Sequence, residues 1–76
     1  MIRVKWKIRE MLEANNITAY RLWKDSGLAQ QTVYTLAQNK GDRVDLNTLS
    51  TVITTLERLT HRRVELADVL EVVRNA

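Results

Sequence analysis

The sequence predicts a mainly α fold of five short helices, with a small two-stranded ribbon, about residues 2–6 with 63–66, as an open alternative to a longer first helix. Three observations carry this reading. Apolar residues recur at three- and four-residue spacing in four separate windows, and a fifth helix, to about Asp25, is marked by its end signals. The windows are bounded by helix signals: Thr18 and Asp45 at starts, and Asn15-Asn16, Gly27 and Asn39-Lys40-Gly41-Asp42 at ends. Seventy-six residues with no proline, no repeat and no linker tract fit one domain, 1–76, whose core is small for its surface.

In residues 7–16, Ile8, Met11 and Leu12 form an apolar stripe with Lys7, Arg9, Glu10 and Glu13 on the other side. Thr18 is suited to cap a second helix running to about Asp25, and Gly27 to stop it in a left-handed conformation. The third helix is expected from about Ala29 to Gln38, with Val33, Leu36 and Ala37 inward. Asp45 then caps a fourth, striped by Leu46, Leu49, Val52, Ile53, Leu56 and Leu59. A last helix is expected over Ala67 to Arg74, with Val69, Leu70 and Val73 inward and Val72 off the stripe.

Two stretches have the period of a strand. Ile2, Val4, Trp6 and Ile8 alternate with Arg3, Lys5, Lys7 and Arg9, and Val64-Glu65-Leu66 alternates in the same way. Paired as an antiparallel ribbon, they would set Arg3 or Lys5 near Glu65. The other reading makes Val4 to Lys7 the first turn of the first helix.

Charge is unevenly distributed. Residues 1–43 hold 8 Lys/Arg against 4 Asp/Glu, whereas residues 44–76 hold 4 against 5. A basic first half points to a polyanionic partner. The chain has no cysteine, which excludes disulfides, thiolate metal sites and cysteine catalysis, and agrees with a cytoplasmic location. No apolar run approaches the roughly 20 residues that span a bilayer. His61 is the only histidine, beside Arg62 and Arg63, and there is no Gly-rich phosphate loop or serine elbow. No enzyme activity, cofactor, metal or membrane partner is expected.

Two short helices joined by a turn containing Gly27, with further helices behind, describe a helix-turn-helix over about residues 18–38. At these residues the sequence resembles the DNA-binding domains of the lambdoid phage repressors and Cro proteins (XRE type), over residues 8 to about 70. The resemblance implies that Thr18 starts the second helix, Leu22 packs inward, Gly27 turns the chain, Leu28 plugs the turn, and Val33 and Leu36 anchor the recognition helix. It implies base contacts from the exposed start of that helix, where "AQQTV" stands.

Five positions depart from the family pattern. Trp23 replaces a small residue where two helices cross, so either the helices splay or the indole lies outward. Ser26 replaces an apolar residue. Leu12 and Ala37 stand where an Arg–Glu pair is frequent, a self-consistent double loss. Ala19 replaces a glutamine that braces the recognition helix.

The side chain of Gln matches the donor and acceptor edge of adenine in the major groove. Gln30 is best placed for such a contact, with Gln31 bridging to the next base pair and Tyr34 or Thr35 reaching further along the groove. Thr18, Tyr20, Arg21, Thr32, Asn39, Lys40 and Arg43 are expected at phosphates, and Lys24 adds charge. The expected function is a sequence-specific regulator of transcription, a repressor that binds a double-stranded DNA operator as a homodimer without a small-molecule effector. Val72 and the free edge of the N-terminal ribbon are candidate dimer contacts. The rival is an antitoxin-like or adaptor module that uses the same helices to hold a protein; an exposed apolar stripe over Tyr20, Trp23 and Tyr34 would favour it.

Overall fold

A computed structural model describes residues 1–74. The chain runs as strand β1 (Arg3–Trp6), helices α1 (Ile8–Ala14), α2 (Ala19–Ser26), α3 (Gln30–Ala37), α4 (Leu46–Thr60) and α5 (Leu66–Val69), and strand β2 (Leu70–Val73). Helices one to four fall where their periodicity and end signals place them. Thr18 caps α2 by accepting from the Arg21 N–H at 3.1 Å, and Asp45 caps α4 by accepting from the Thr48 N–H at 2.6 Å. Each cap satisfies a backbone donor that the helix itself leaves free. Helix ends use left-handed residues: Asn16 (φ 54°), Gly27 (φ 74°), Asn39 (φ 59°) and His61 (φ 57°).

One apolar core joins all these elements. Ile8 from α1, Leu22 from α2, Val33 from α3, Val52 and Leu56 from α4, and Val69 from α5 have no exposed surface. Thr55 is buried among them, its hydroxyl donating to the Thr51 carbonyl at 2.8 Å, so no polar atom is left unpaired there. Leu12 and Ala37 are both buried in this core, as expected for apolar packing in place of an ion pair. Leu46 departs from the expected stripe. It is the first residue of α4, a turn before the helix meets the core, and is 79% exposed.

The C-terminal segment corrects two expectations. The ribbon exists, but β1 pairs antiparallel with Leu70–Val73 and not with residues 63–66, in the register Arg3↔Val73, Val4↔Val72, Lys5↔Glu71 and Trp6↔Leu70. Correspondingly, the helix expected over 67–74 is confined to Leu66–Val69. The physical reason lies in the caps and the β-branched pair. Glu65 and Asp68 form a reciprocal capping box that starts α5 at Leu66, so Glu65 serves the helix rather than a strand. Beyond Val69 the Leu-Glu-Val-Val run suits a strand better than a helix. The Lys7 N–H donates to the Val69 carbonyl at 2.8 Å, closing the base of the ribbon. Lys5 therefore pairs with Glu71, at 3.4 Å, and Glu65 with Arg63.

Placing one charge of the missing ion pair into this core tests the packing. Leu12→Arg alone is expected to destabilise the domain by roughly 3 kcal/mol or more, the cost of an unpaired buried charge. Adding Ala37→Glu should recover part of that loss in urea unfolding. Equal midpoints for the single and double variants would show that the two positions do not face one another.

Candidate nucleic-acid interface

The α2–α3 turn is built by three consecutive residues. Gly27 takes the left-handed conformation, its N–H donating to the Trp23 carbonyl at 3.3 Å. Ser26, where an apolar residue is usual, closes the turn through its side chain, whose hydroxyl donates to the Trp23 carbonyl and accepts from the Leu28 N–H, both at 3.2 Å. Leu28 is half-buried against the core. After Ala29 the chain enters α3 with no side-chain cap and no acid in the first turn. The free N–H groups and the positive end of the helix dipole therefore face solvent without a competing carboxylate.

Helix α3 divides its surface. Val33, Leu36 and Ala37 are buried, while Gln30 and Gln31 are exposed and Thr32, Tyr34 and Thr35 are half-exposed. Residues four apart share a row. One row, Gln31 and Thr35, opens on a shallow groove that Thr32 and Arg43 also line. The other, Gln30 and Tyr34, continues onto α2, where the Trp23 ring stands edge-on to Tyr34 (centroids 6.4 Å apart) and to Tyr20 (5.7 Å). Trp23 is thus half-buried, packed against Tyr20 of α2 and Tyr34 of α3. The Lys24 ammonium sits 4.5 Å from its ring centroid. Tyr20 is 56% exposed.

The loop after α3 is held from the N-terminal side of the molecule. The Asn39 side-chain Oδ1 accepts from the Arg9 backbone N–H at 2.9 Å and its Nδ2 donates to the Glu10 carboxylate. The buried Trp6 donates its indole N–H to the Gly41 carbonyl at 2.9 Å. Gly41 has φ 102°, and an added Cβ would meet the Thr35 methyl at 3.4 Å, so a side chain here is strained. Lys40 and Arg43, on either side of Gly41, are exposed, and neither has an acidic partner among the described residues.

Of the residues expected at phosphates, Lys40, Arg43 and Tyr20 are free on the surface. Arg21 is exposed with Asp25 at 3.9 Å, and Thr32 lies on the α3 groove. Thr18 is exposed, but its oxygen is used as the α2 cap, leaving its hydroxyl hydrogen. Asn39 is the exception. Its side chain is already committed to α1, so it acts on the loop rather than as an open donor. The Trp6–Gly41 and Asn39–Glu10 contacts were not legible in the sequence: their partners lie 35 and 29 residues apart and carry no local spacing signal.

A helix, a three-residue turn around a left-handed glycine, and a second helix with a polar, uncapped start define a helix-turn-helix protein. The chain belongs to the Cro/C1-type HTH DNA-binding domains, whose family model matches residues 7–73. No curated protein and no solved structure matches it. No described helix is long and apolar enough to cross a membrane.

The Asn39 amide, followed by Glu10's own backbone N–H, holds the Glu10 carboxyl below its ordinary value of 4.5. A carboxyl lowered on folding adds stability that is full above that value and is lost as pH falls through it toward the folded value. The melting temperature of the parent should therefore exceed that of Glu10→Gln at neutral pH, with the gap closing in acid. The gap should be small, because Glu10 is exposed. A constant gap at every pH would show that Glu10 contributes through contacts other than its charge.

Proposed function

We propose that this chain is a sequence-specific regulator of transcription that lays α3 in the major groove of duplex DNA. Bound as a homodimer on two half-sites about one helical turn apart, it acts as a repressor, occluding a promoter by occupancy alone. The observation that carries this reading is the start of α3: two adjacent exposed glutamines on a helix with no cap and no first-turn acid, with Arg43 on the groove that Gln31 lines. Gln30 and Gln31 supply donor–acceptor pairs for base edges, with Tyr34 and Thr35 behind them in the same rows. Thr18, Tyr20, Arg21, Thr32, Lys40 and Arg43 hold phosphates. Val72 and Leu66, 52% and 53% exposed on the α5–β2 side, are apolar surface suited to the dimer contact.

Selection from a random duplex library at fixed salt tests sequence reading and yields the operator together. Gln30→Ala should cost roughly 1–3 kcal/mol at the selected site and relax preference at one base pair in each half-site. Nonspecific binding and the melting temperature should barely change, since Gln30 is uncharged and exposed. If Gln30→Ala, Gln31→Ala selects the same sequence with the same affinity, α3 is not the reader. With three to five cations on phosphates, log K should fall against log[salt] with a slope of about −3 to −5. Sedimentation should show self-association, and a monomer at high micromolar concentration that binds one per duplex removes the dimer.

The aromatic row Tyr20, Trp23 and Tyr34 favours a second reading, an antitoxin-like or adaptor module that holds a protein on this face. Its partial burial and the Lys24 ammonium over Trp23 make it less apolar than such a site requires. Failure of the library to enrich any sequence would favour it.

A further inference from the structure

A second groove runs between β1 and the loop that follows α3. Arg3, Lys5 and Trp6 line one side, and Lys40, Gly41 and Asp42 the other. The indole bond from Trp6 to Gly41 ties the two sides together, so the groove does not depend on loose side chains for its shape. Three of its lining residues are cations and one is an acid. Arg3 is exposed and has no acidic partner among the described residues, while the Lys5 charge is partly offset by Glu71 at 3.4 Å. Arg3 and Lys5 stand two residues apart on a strand, about 6.8 Å, a separation that suits neighbouring phosphates of one DNA strand.

We propose that this groove is a second phosphate track, which takes the sugar–phosphate backbone of the same duplex beyond the base pairs that α3 reads. The proposal rests on the reading of α3 as the DNA-facing helix. Lys40 is shared: it stands at the end of α3 and on the wall of this groove, so a backbone strand passing Lys40 and Arg43 is carried on toward Arg3 and Lys5. The polar demand on the partner is anionic and repetitive, with no base-reading side chain in the groove, which fits backbone and not base edges. Trp6 is a positioning residue for the track, because its N–H fixes the distance from β1 to the loop. Glu71 restrains the track by neutralising Lys5. Arg3, Lys5 and Trp6 precede residues 7–73, which the family model matches, whereas Lys40, Gly41 and Asp42 lie within them.

The test compares the parent, Arg3→Gln with Lys5→Gln, Glu71→Gln, and Glu13→Gln as a control that removes equal charge on α1. Each is titrated at several salt concentrations against a duplex trimmed to the selected operator and one extended by flanking base pairs. Arg3 and Lys5 are exposed, so circular dichroism should show the fold retained; if the double variant unfolds, Arg3→Gln alone carries the test.

On the extended duplex the double variant should lose about two from the magnitude of the salt slope, with specific and nonspecific affinity reduced alike. On the trimmed duplex it should match the parent. Glu71→Gln should tighten binding to the extended duplex several-fold more than Glu13→Gln does. A parental slope for the double variant on the extended duplex, or an equal gain from Glu71→Gln and Glu13→Gln, overturns the track. If Gln30→Ala still alters the selected sequence in that case, the function of α3 stands and only the track falls. A parent that binds neither duplex overturns both.

Discussion

Helix α3 has only eight residues, too few to be stable in water by itself. Everything else in the molecule follows from holding it in place by one side while leaving the other free. Val33, Leu36 and Ala37 supply that side, in one buried cluster with Leu12 of α1 and Leu22 of α2. Because these three residues cover one stripe, the positions between them are open to polar side chains at little structural cost. The glutamines have no capping or packing duty there, and that freedom makes them available to a partner.

The same constraint accounts for the contacts at the far end of the helix. An α3 fixed only through its apolar stripe would leave the following loop to move, and with it Lys40 and Arg43. Two hydrogen-bonded ties prevent this, one from Trp6 to Gly41 and one from Asn39 to α1. Both replace water on polar atoms with a partner of fixed position, which adds modest stability but defines geometry well. The residue sacrificed to this is Asn39, whose amide holds the loop instead of lying open to a ligand.

The positions that depart from the family pattern are each accommodated by a local solution. Ser26 satisfies the turn with two hydrogen bonds, and Leu12 and Ala37 fill the space of an ion pair with apolar atoms. Trp23 lies between two tyrosines under a lysine. None disturbs the order helix, turn, helix, because each acts on the rim or interior of the motif without altering the left-handed Gly27 that sets the chain direction. Ala19, half-buried, offers no hydrogen-bonding side chain to Gln30, which stands exposed in the α3 row that it shares with Tyr34.

The sequence by itself determined α1 to α4, the N-caps of α2 and α4 and the inward face of α3, since helical periodicity, an N-cap acceptor and a left-handed stop act within a few residues of one another. It also determined that β1 alternates, that Gln30 and Gln31 stand at an exposed helix start, and that the basic residues gather in the first half. Tertiary structure decided what β1 pairs with. Val64-Glu65-Leu66 and Leu70-Glu71-Val72 both alternate, and the choice fell to β2 because Glu65 and Asp68 cap α5 and Val69 is drawn into the core. It likewise decided that Trp6 meets Gly41, that Asn39 is consumed by α1, and that Arg3 and Lys5 lie beside Lys40. These pairings join residues about thirty or more positions apart, and no local pattern encodes which distant polar group a side chain will find once the core has closed.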